Sequence, residues 1–324
     1  MNINGLRIQT NNNLSLAHNS LKRSLTIKVK LIFAVYFIKS ILTQEALPMT
    51  EDMQPRSIET KFRKLLGTVN PHLILIDVAV KELLCKDESG RININRIEDV
   101  TKKHKNAKLK VAHLEIYKTS LYVTQSHIAF IYSCLESFLK DYISLSKKIY
   151  SDERSFNIDN VDILRRAIHH AHVNKINGKI THPKLNHNEL SIYIDELDLK
   201  LLDYFRLVRD INAHSRENTN LWEEMFSESD LIKMSKKYKH EVNKEAELTI
   251  RDVILYSQVC QQVAHHICQK MLDIEKIAKS LCIKYKHLTG PRKDNAITKT
   301  LINNYLQDKD EVDRLRNAFN GWLA

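Results

Sequence analysis

Glycine and proline are scarce in this chain of 324 residues: six and five, together about 3% where roughly 12% is usual. The glycines, Gly5, Gly67, Gly90, Gly178, Gly290 and Gly321, are never closer than 23 positions, so every glycine-clustered phosphate or nucleophile loop is excluded. There is no GxGxxG, no Walker A loop and no GxSxG elbow. Those motifs need glycine because the backbone must turn sharply or approach a phosphate closely. Few turn residues also mean few hairpins, which leaves long helices as the expected architecture. Cysteine is limited to Cys85, Cys134, Cys260, Cys268 and Cys282. An odd count with no CxxC spacing indicates neither a disulfide framework nor a cysteine zinc site. The expectation is reduced core thiols in an intracellular, cytoplasmic protein.

What is in excess is positive charge. Fifty Lys and Arg face 39 Asp and Glu, a formal +11, which suits a polyanionic partner and equally suits a solvated basic surface. Residues 1–48 stand apart, with Arg7, Lys22, Arg23, Lys28, Lys30 and Lys39 against Glu45 alone, around the apolar run Leu31 to Ile38. Eight apolar residues are too few to span a bilayer, which takes roughly 20. Lys39 interrupts the run and no small-residue cleavage site follows it, so a secretory signal is disfavoured. The segment reads as a non-native extension upstream of Met49 or Met53, or as an amphipathic docking helix, and no stable membrane span is expected.

The organisation expected downstream is an N-terminal helical region over 55–106, a helical bundle over 107–287 and a C-terminal helix over 296–324. Residues 55–86 suggest one helix or two, broken near Gly67 to Pro71. Residues 107–150 contain neither Gly nor Pro, and Leu114, Tyr117, Leu121, Thr124, Ile128, Ile131, Leu135, Phe138, Tyr142, Leu145 and Ile149 recur at alternating steps of three and four. That seam predicts one long helix or two nearly collinear ones. Phe130, Tyr132 and Ile143 widen the stripe toward that of a bundle helix. Helical spacing returns through Leu190, Ile194, Leu197, Leu201, Phe205 and Val208, residues 215–229 read as irregular, and 249–285 supply another buried face. The fold class is therefore all-α.

The stretch YFRLVRDINAHSRENT carries the sharpest candidate chemistry, with Arg209 and His214 five positions apart. It resembles the Arg-x4-6-His motif of HEPN domains, an all-helical family of ribonucleases and nucleotide-binding modules. The motif follows an apolar helix, as in that family. AFIYSCLESFLKDY (Ala129 to Tyr142) looks like the family's first core helix, and LTIRDVILYSQVCQQVAHHI (Leu248 to Ile267) like its closing one. The resemblance covers roughly residues 110–275. A rival match lies in ILRRAIHHAH, where Arg165 and Arg166 precede His170 and His172. The later match is preferred because polar Asp210 directly follows its arginine.

On a regular helix Asp210 and His214 share a face, so the carboxylate is expected to hold the imidazole. Arg209 and His214 diverge by roughly 140°, so one straight helix does not aim both at a single phosphate. The resemblance implies an answer: two copies pair about a two-fold and both motifs line one cleft. It further implies metal-independent RNA cleavage. His214 would be general base or acid for attack of a ribose 2′-OH, and Arg209 would stabilise charge on the phosphoryl oxygens. Asp210 and Asn212 would orient the pair or hold RNA. No cofactor or metal is implied; RNA is the substrate, a homodimer the assembly, and an antitoxin or regulatory partner goes with the toxin or antiviral-defence type. Where the family often has Asn after the arginine, Asp210 places negative charge beside the RNA phosphate. Glu136 lies one position off the seam, where it can enter the cleft or form a solvated flank. The alternative function is a non-catalytic dimerisation module binding nucleotide, RNA or a protein partner. His169, His170, His172, His182 and His187 read as surface histidines near a polar connection rather than zinc ligands, having no acidic or cysteine partner at a typical spacing.

Overall fold

The stretch 91–177, free of glycine and proline, supplies the central helix. In the computed structural model, which describes residues 54–83, 94–103, 116–150, 163–175, 187–214 and 220–323, the elements are all helical. They are α1 (Pro55–Leu83), α2 (Ile94–Lys103), α3 (Ile116–Tyr150), α4 (Ile163–Lys175), α5 (His187–Ser191), α6 (Glu196–His214) and α7 (Leu221–Met225). There follow α8 (Glu228–Tyr238), α9 (Ile250–Lys270), α10 (Ile274–Lys284), α11 (Gly290–Tyr305), α12 (Lys309–Ala318) and α13 (Asn320–Leu323). No strand occurs among the described residues. The expected all-α class holds. Residues 1–48, with the run Leu31 to Ile38, lie outside the described residues, as does Cys85.

Helix α3 packs on α1, α4, α6 and α9, and α9 closes the bundle by packing on α1 and α6. The seam explains why. Ile128, Ile131, Leu135, Phe138, Tyr142 and Leu145 are all buried, and so are the flanking Phe130 and Tyr132 that widen the stripe. A helix apolar over that arc needs partners on several sides, and α3 has four. Phe138 meets Phe62 of α1 with ring centroids 5.1 Å apart, a contact whose loss in Phe138→Ala would cost about 3 to 5 kcal/mol. Helix α1 runs antiparallel to α9: Pro55 O accepts from Cys268 Sγ at 3.5 Å, Glu59 meets His265 at 3.0 Å, and Arg63 reaches Gln261 at 3.5 Å.

Several boundaries differ from those the spacing suggests. Helix α1 passes through Gly67 and Pro71 without a break, because Leu66 and Leu73 on either side are almost fully buried and packing outweighs the one amide that proline removes. Leu190 and Ile194 precede α6 rather than belonging to it. Asp195 caps that helix by accepting from the Leu197 amide at 3.0 Å, and an Asx cap fixes a start that apolar spacing alone blurs. Residues 221–225, read as irregular, form α7. The single C-terminal helix expected over 296–324 is instead the latter part of α11 followed by α12 and α13, with the chain turned at Leu306, φ +58, and capped again by Asp308 on the Glu311 amide at 2.8 Å. Trp322, fully buried at φ +73, donates from Nε1 to Asp294 at 2.7 Å and ties the end of the chain to α11.

The histidine reading needs correcting. His169 and His170 are buried, each 3% exposed, because their helix α4 lies directly against α3. His170 Nδ1 is 3.1 Å from Ser146 Oγ, and His172 Nδ1 is 2.9 Å from Tyr193 Oη. Cys134, Cys260, Cys268 and Cys282 are free thiols in the core; burial pushes Cys134 up to about 12, so it packs as an apolar side chain.

Candidate functional site

Helix α6 buries Leu197, Leu201, Phe205 and Val208, and this places its charged residues along the boundary with α3 and α4. At about 100° per residue, Asp203, Arg206, Arg209 and Asp210 fall within an arc of about 120°. Arg165 of α4 joins them from the side. The result is a chain of alternating charge. Arg165 grips Asp203 with two parallel bonds, Nη1 to Oδ1 at 2.9 Å and Nη2 to Oδ2 at 2.6 Å. Arg206 reaches Asp203 at 3.4 Å on one side and Asp210 at 3.7 Å on the other. Arg209 donates to Asp210 Oδ1 from Nε at 3.0 Å and from Nη2 at 2.5 Å.

Arg209 also lies over an aromatic face, its Cζ 3.7 Å from the ring centroid of Tyr132 on α3. Tyr132 is 8% exposed, so the ring forms a nearly dry floor on which a guanidinium is attracted by the π cloud. Partial burial works against the Arg209 charge, but the bond to Asp210 and the nearby Tyr132 and Glu136 outweigh it and hold its pKa above the ordinary arginine value. The side chain is thus a fixed, permanently charged donor, 29% exposed.

Beside this chain of charges is a cavity of about 20 Å³, lined in part by Tyr132, Glu136, Leu139, Leu164, Arg206 and Tyr256. It holds about one water molecule and no nucleobase. A nucleotide could therefore approach only from the exposed side of the arginines. Glu136 borders this cavity and acts on Arg209, so it belongs to the cluster rather than to a remote solvated flank.

Of the five residues expected to form the site, the structure joins Arg209, Asp210 and Glu136. Helix α6 continues through Asn212 to His214 as its last residue, while the side chains of Asn212 and His214 lie outside the described residues. Asp210 Oδ1 accepts from Arg209 and Oδ2 lies 3.7 Å from Arg206, while its expected hold on His214 involves a side chain outside the described residues. Sequence reasoning missed Asp203 and Arg206, and placed Tyr132 in the apolar stripe and Arg165 in the rival motif rather than in this cluster. The spacing Asp203, Arg206, Asp210 is a readable helical charge pattern, whereas the pairing of Arg165 with Asp203 is a long-range contact with no sequence signal.

A second polar centre is built by the same helix. Asp198, fully buried, has Lys237 Nζ at 2.7 Å and Tyr238 Oη at 2.6 Å from Oδ1, and Tyr238 Oη lies 3.0 Å from Gln262 on α9. Burial raises the Asp198 pKa, with Lys237 and Tyr238 drawing it partly back. This triad bolts α8 to α6 and α9. Among the described residues no group of three or more His, Cys, Asp or Glu side chains is placed to hold a metal ion, and no helix is long and apolar enough to cross a membrane.

Comparison of the chain with family models, with curated proteins and with solved structures finds no match.

Proposed function

We propose that this chain is a metal-independent endoribonuclease of the HEPN type, acting as a homodimer and belonging to the toxin or antiviral-defence kind. The observation that carries the reading is Arg209, a permanently charged guanidinium held over Tyr132 and bonded to Asp210 in the last turns of the helix that ends at His214. In this reading Arg209 stabilises charge developing on the phosphoryl oxygens and His214 moves the proton of the attacking 2′-OH. A second copy supplies the facing histidine. Arg206 and Glu136 flank the same surface and set its charge.

The test is purified full chain with metal chelated, incubated with transfer and messenger RNA beside Arg209→Ala and His214→Ala. Cleavage by the wild type leaving 2′,3′-cyclic phosphate and 5′-OH ends, reduced at least about 100-fold in each variant, is the expected result. Intact RNA, or variants that cut as well as the wild type, ends the reading.

A specific observation favours a second reading, a non-catalytic dimerisation or binding module. Arg165, Arg206 and Arg209 all have carboxylate partners within the fold, the arrangement expected of a structural charge lattice. The two readings separate on one measurement: a lattice makes Arg209→Ala lose stability without any change in RNA chemistry.

A further inference from the structure

Between Lys276 and Lys293 the chain carries six cations, Lys276, Lys279, Lys284, Lys286, Arg292 and Lys293, and no carboxylate. The stretch is α10, the turn after it and the first turn of α11. Lys279, Lys284, Lys286, His287 and Arg292 are exposed. Carboxylates that could neutralise them are engaged elsewhere. Asp273 caps α10 by accepting from the Lys276 amide at 3.0 Å, Glu275 pairs with Arg314 at 3.3 Å, and Asp294 holds Arg316 and the Trp322 indole. Lys279, Lys284, Lys286 and Arg292 are left without an ion pair among the described residues.

Two of these cations lean on aromatic rings instead. Lys284 Nζ is 5.8 Å from the centroid of Tyr285, and Lys279 Nζ is 5.8 Å from that of Phe319. Tyr285 is fixed by its hydroxyl, 3.1 Å from Thr300 Oγ1, and His287 lies beside it at 6.4 Å.

We propose that the α10–α11 hairpin is a contact surface for the phosphate backbone of single-stranded RNA, separate from the α6 cluster. Uncompensated exposed cations interleaved with a tyrosine and a histidine are the chemistry of a backbone-tracking, base-stacking platform. An anionic membrane is the poorer fit, because the apolar face of α10, Ile277, Ala278 and Leu281, is already buried within the protein, and the exposed Ile283 beside Lys284 is too little apolar surface to seat a helix in lipid. The inference rests on the ribonuclease reading for its choice of RNA, and it adds that substrate is gathered at one place and cut at another.

The experiment measures binding of a labelled RNA of about 16 nucleotides by fluorescence anisotropy, on the full chain with metal chelated and across a salt series. Lys284→Glu/Lys286→Glu/Arg292→Glu should weaken binding about 30-fold or more and reduce the slope of log affinity against log salt by about 2, from three phosphates at roughly 0.7 each. The milder Lys284→Ala/Lys286→Ala/Arg292→Ala should lose about tenfold and covers the case in which the reversal unfolds the hairpin. Lys64→Glu/Lys233→Glu/Lys236→Glu matches the change in net charge on exposed positions of α1 and α8 and should lose less than about threefold. The inference is overturned if the control weakens binding as much as the hairpin variant, if the hairpin variants bind like the wild type, or if the wild type ignores RNA and binds anionic phospholipid vesicles instead. RNA held through the hairpin but never cleaved sinks the ribonuclease reading alone. RNA cleaved and bound equally well by the hairpin variants sinks this inference alone.

Discussion

Arginines of the α6 cluster and cations of the α10–α11 hairpin are the same chemistry under opposite conditions. In the cluster, Arg165, Arg206 and Arg209 face Asp203, Asp210 and Glu136, so formal charge cancels. In the hairpin, Lys279, Lys284, Lys286 and Arg292 have no carboxylate partner among the described residues, and their charge projects into solvent. Net charge therefore says little about where a polyanion would land. Cancelled charge fixes geometry, as transition-state stabilisation requires, whereas uncancelled charge raises the local concentration and association rate of an anion. Division of labour between a fixed site and a gathering surface follows from that contrast.

The largest expected break comes from Asp203→Ala. It removes the two bonds from Arg165 to Asp203 and the one from Arg206, and should cost about 2 kcal/mol in urea unfolding, the scale of hydrogen bonds to charged groups. Asp203→Asn, which keeps one acceptor, should cost about half as much. Lys286→Ala in the hairpin should change stability by no more than about 0.5 kcal/mol. Equal effects at the two places would remove the distinction between them.

Asp210→Asn tests the cluster from the side of function. The Asp210 carboxylate occupies donors of Arg209 and faces Arg206, so a phosphate must compete with it. Neutralising it should tighten RNA binding roughly threefold to tenfold at low salt with little loss of stability. Weaker binding would mean that Asp210 positions Arg209 for the anion rather than competing with it. Tyr132→Leu, which keeps bulk and removes the π face, should cost about 1 kcal/mol and leave the hairpin's salt dependence unaltered.

Much of the scaffold was legible because it is written in local period. The seam from Ile128 to Leu145 marks α3, and its widening at Phe130 and Tyr132 says that the helix has several neighbours. Arg209 and Asp210 were visible as neighbours in a motif. Their bond was not, since it depends on how a flexible guanidinium settles once Tyr132 of α3 lies beneath it. The continuity of α1 through Pro71 was equally hidden, because Gly67 and Pro71 are local signals and the packing of Leu66 and Leu73 that overrides them is tertiary. His169 and His170 were misplaced for the same reason: composition puts histidines near a polar connection at the surface, and only the contact of α4 with α3 puts them inside. The hairpin was legible as charge but not as unpaired charge, since Asp294 is adjacent in sequence yet bonded to Arg316 and Trp322.

Asp198 sharpens the comparison with an intermediate case, a carboxylate that is paired like those of the cluster but wholly removed from water. Burial raises its pKa more than Lys237 and Tyr238 lower it. A carboxyl that protonates more readily folded than unfolded gives its full stabilisation below its unfolded pKa, near 3.8, and loses it as pH rises through the folded value. Asp198→Asn abolishes that titration. The stability of wild type minus that of the variant, measured by urea unfolding, should therefore fall as pH rises from just below 3.8 through the raised folded value and then level off. The change should be small, under about 1 kcal/mol. A difference that grows with pH would show that the attraction of Lys237 exceeds the cost of burial, and Asp198 would then join Asp203 and Asp210 as a net stabilising partner of a cation.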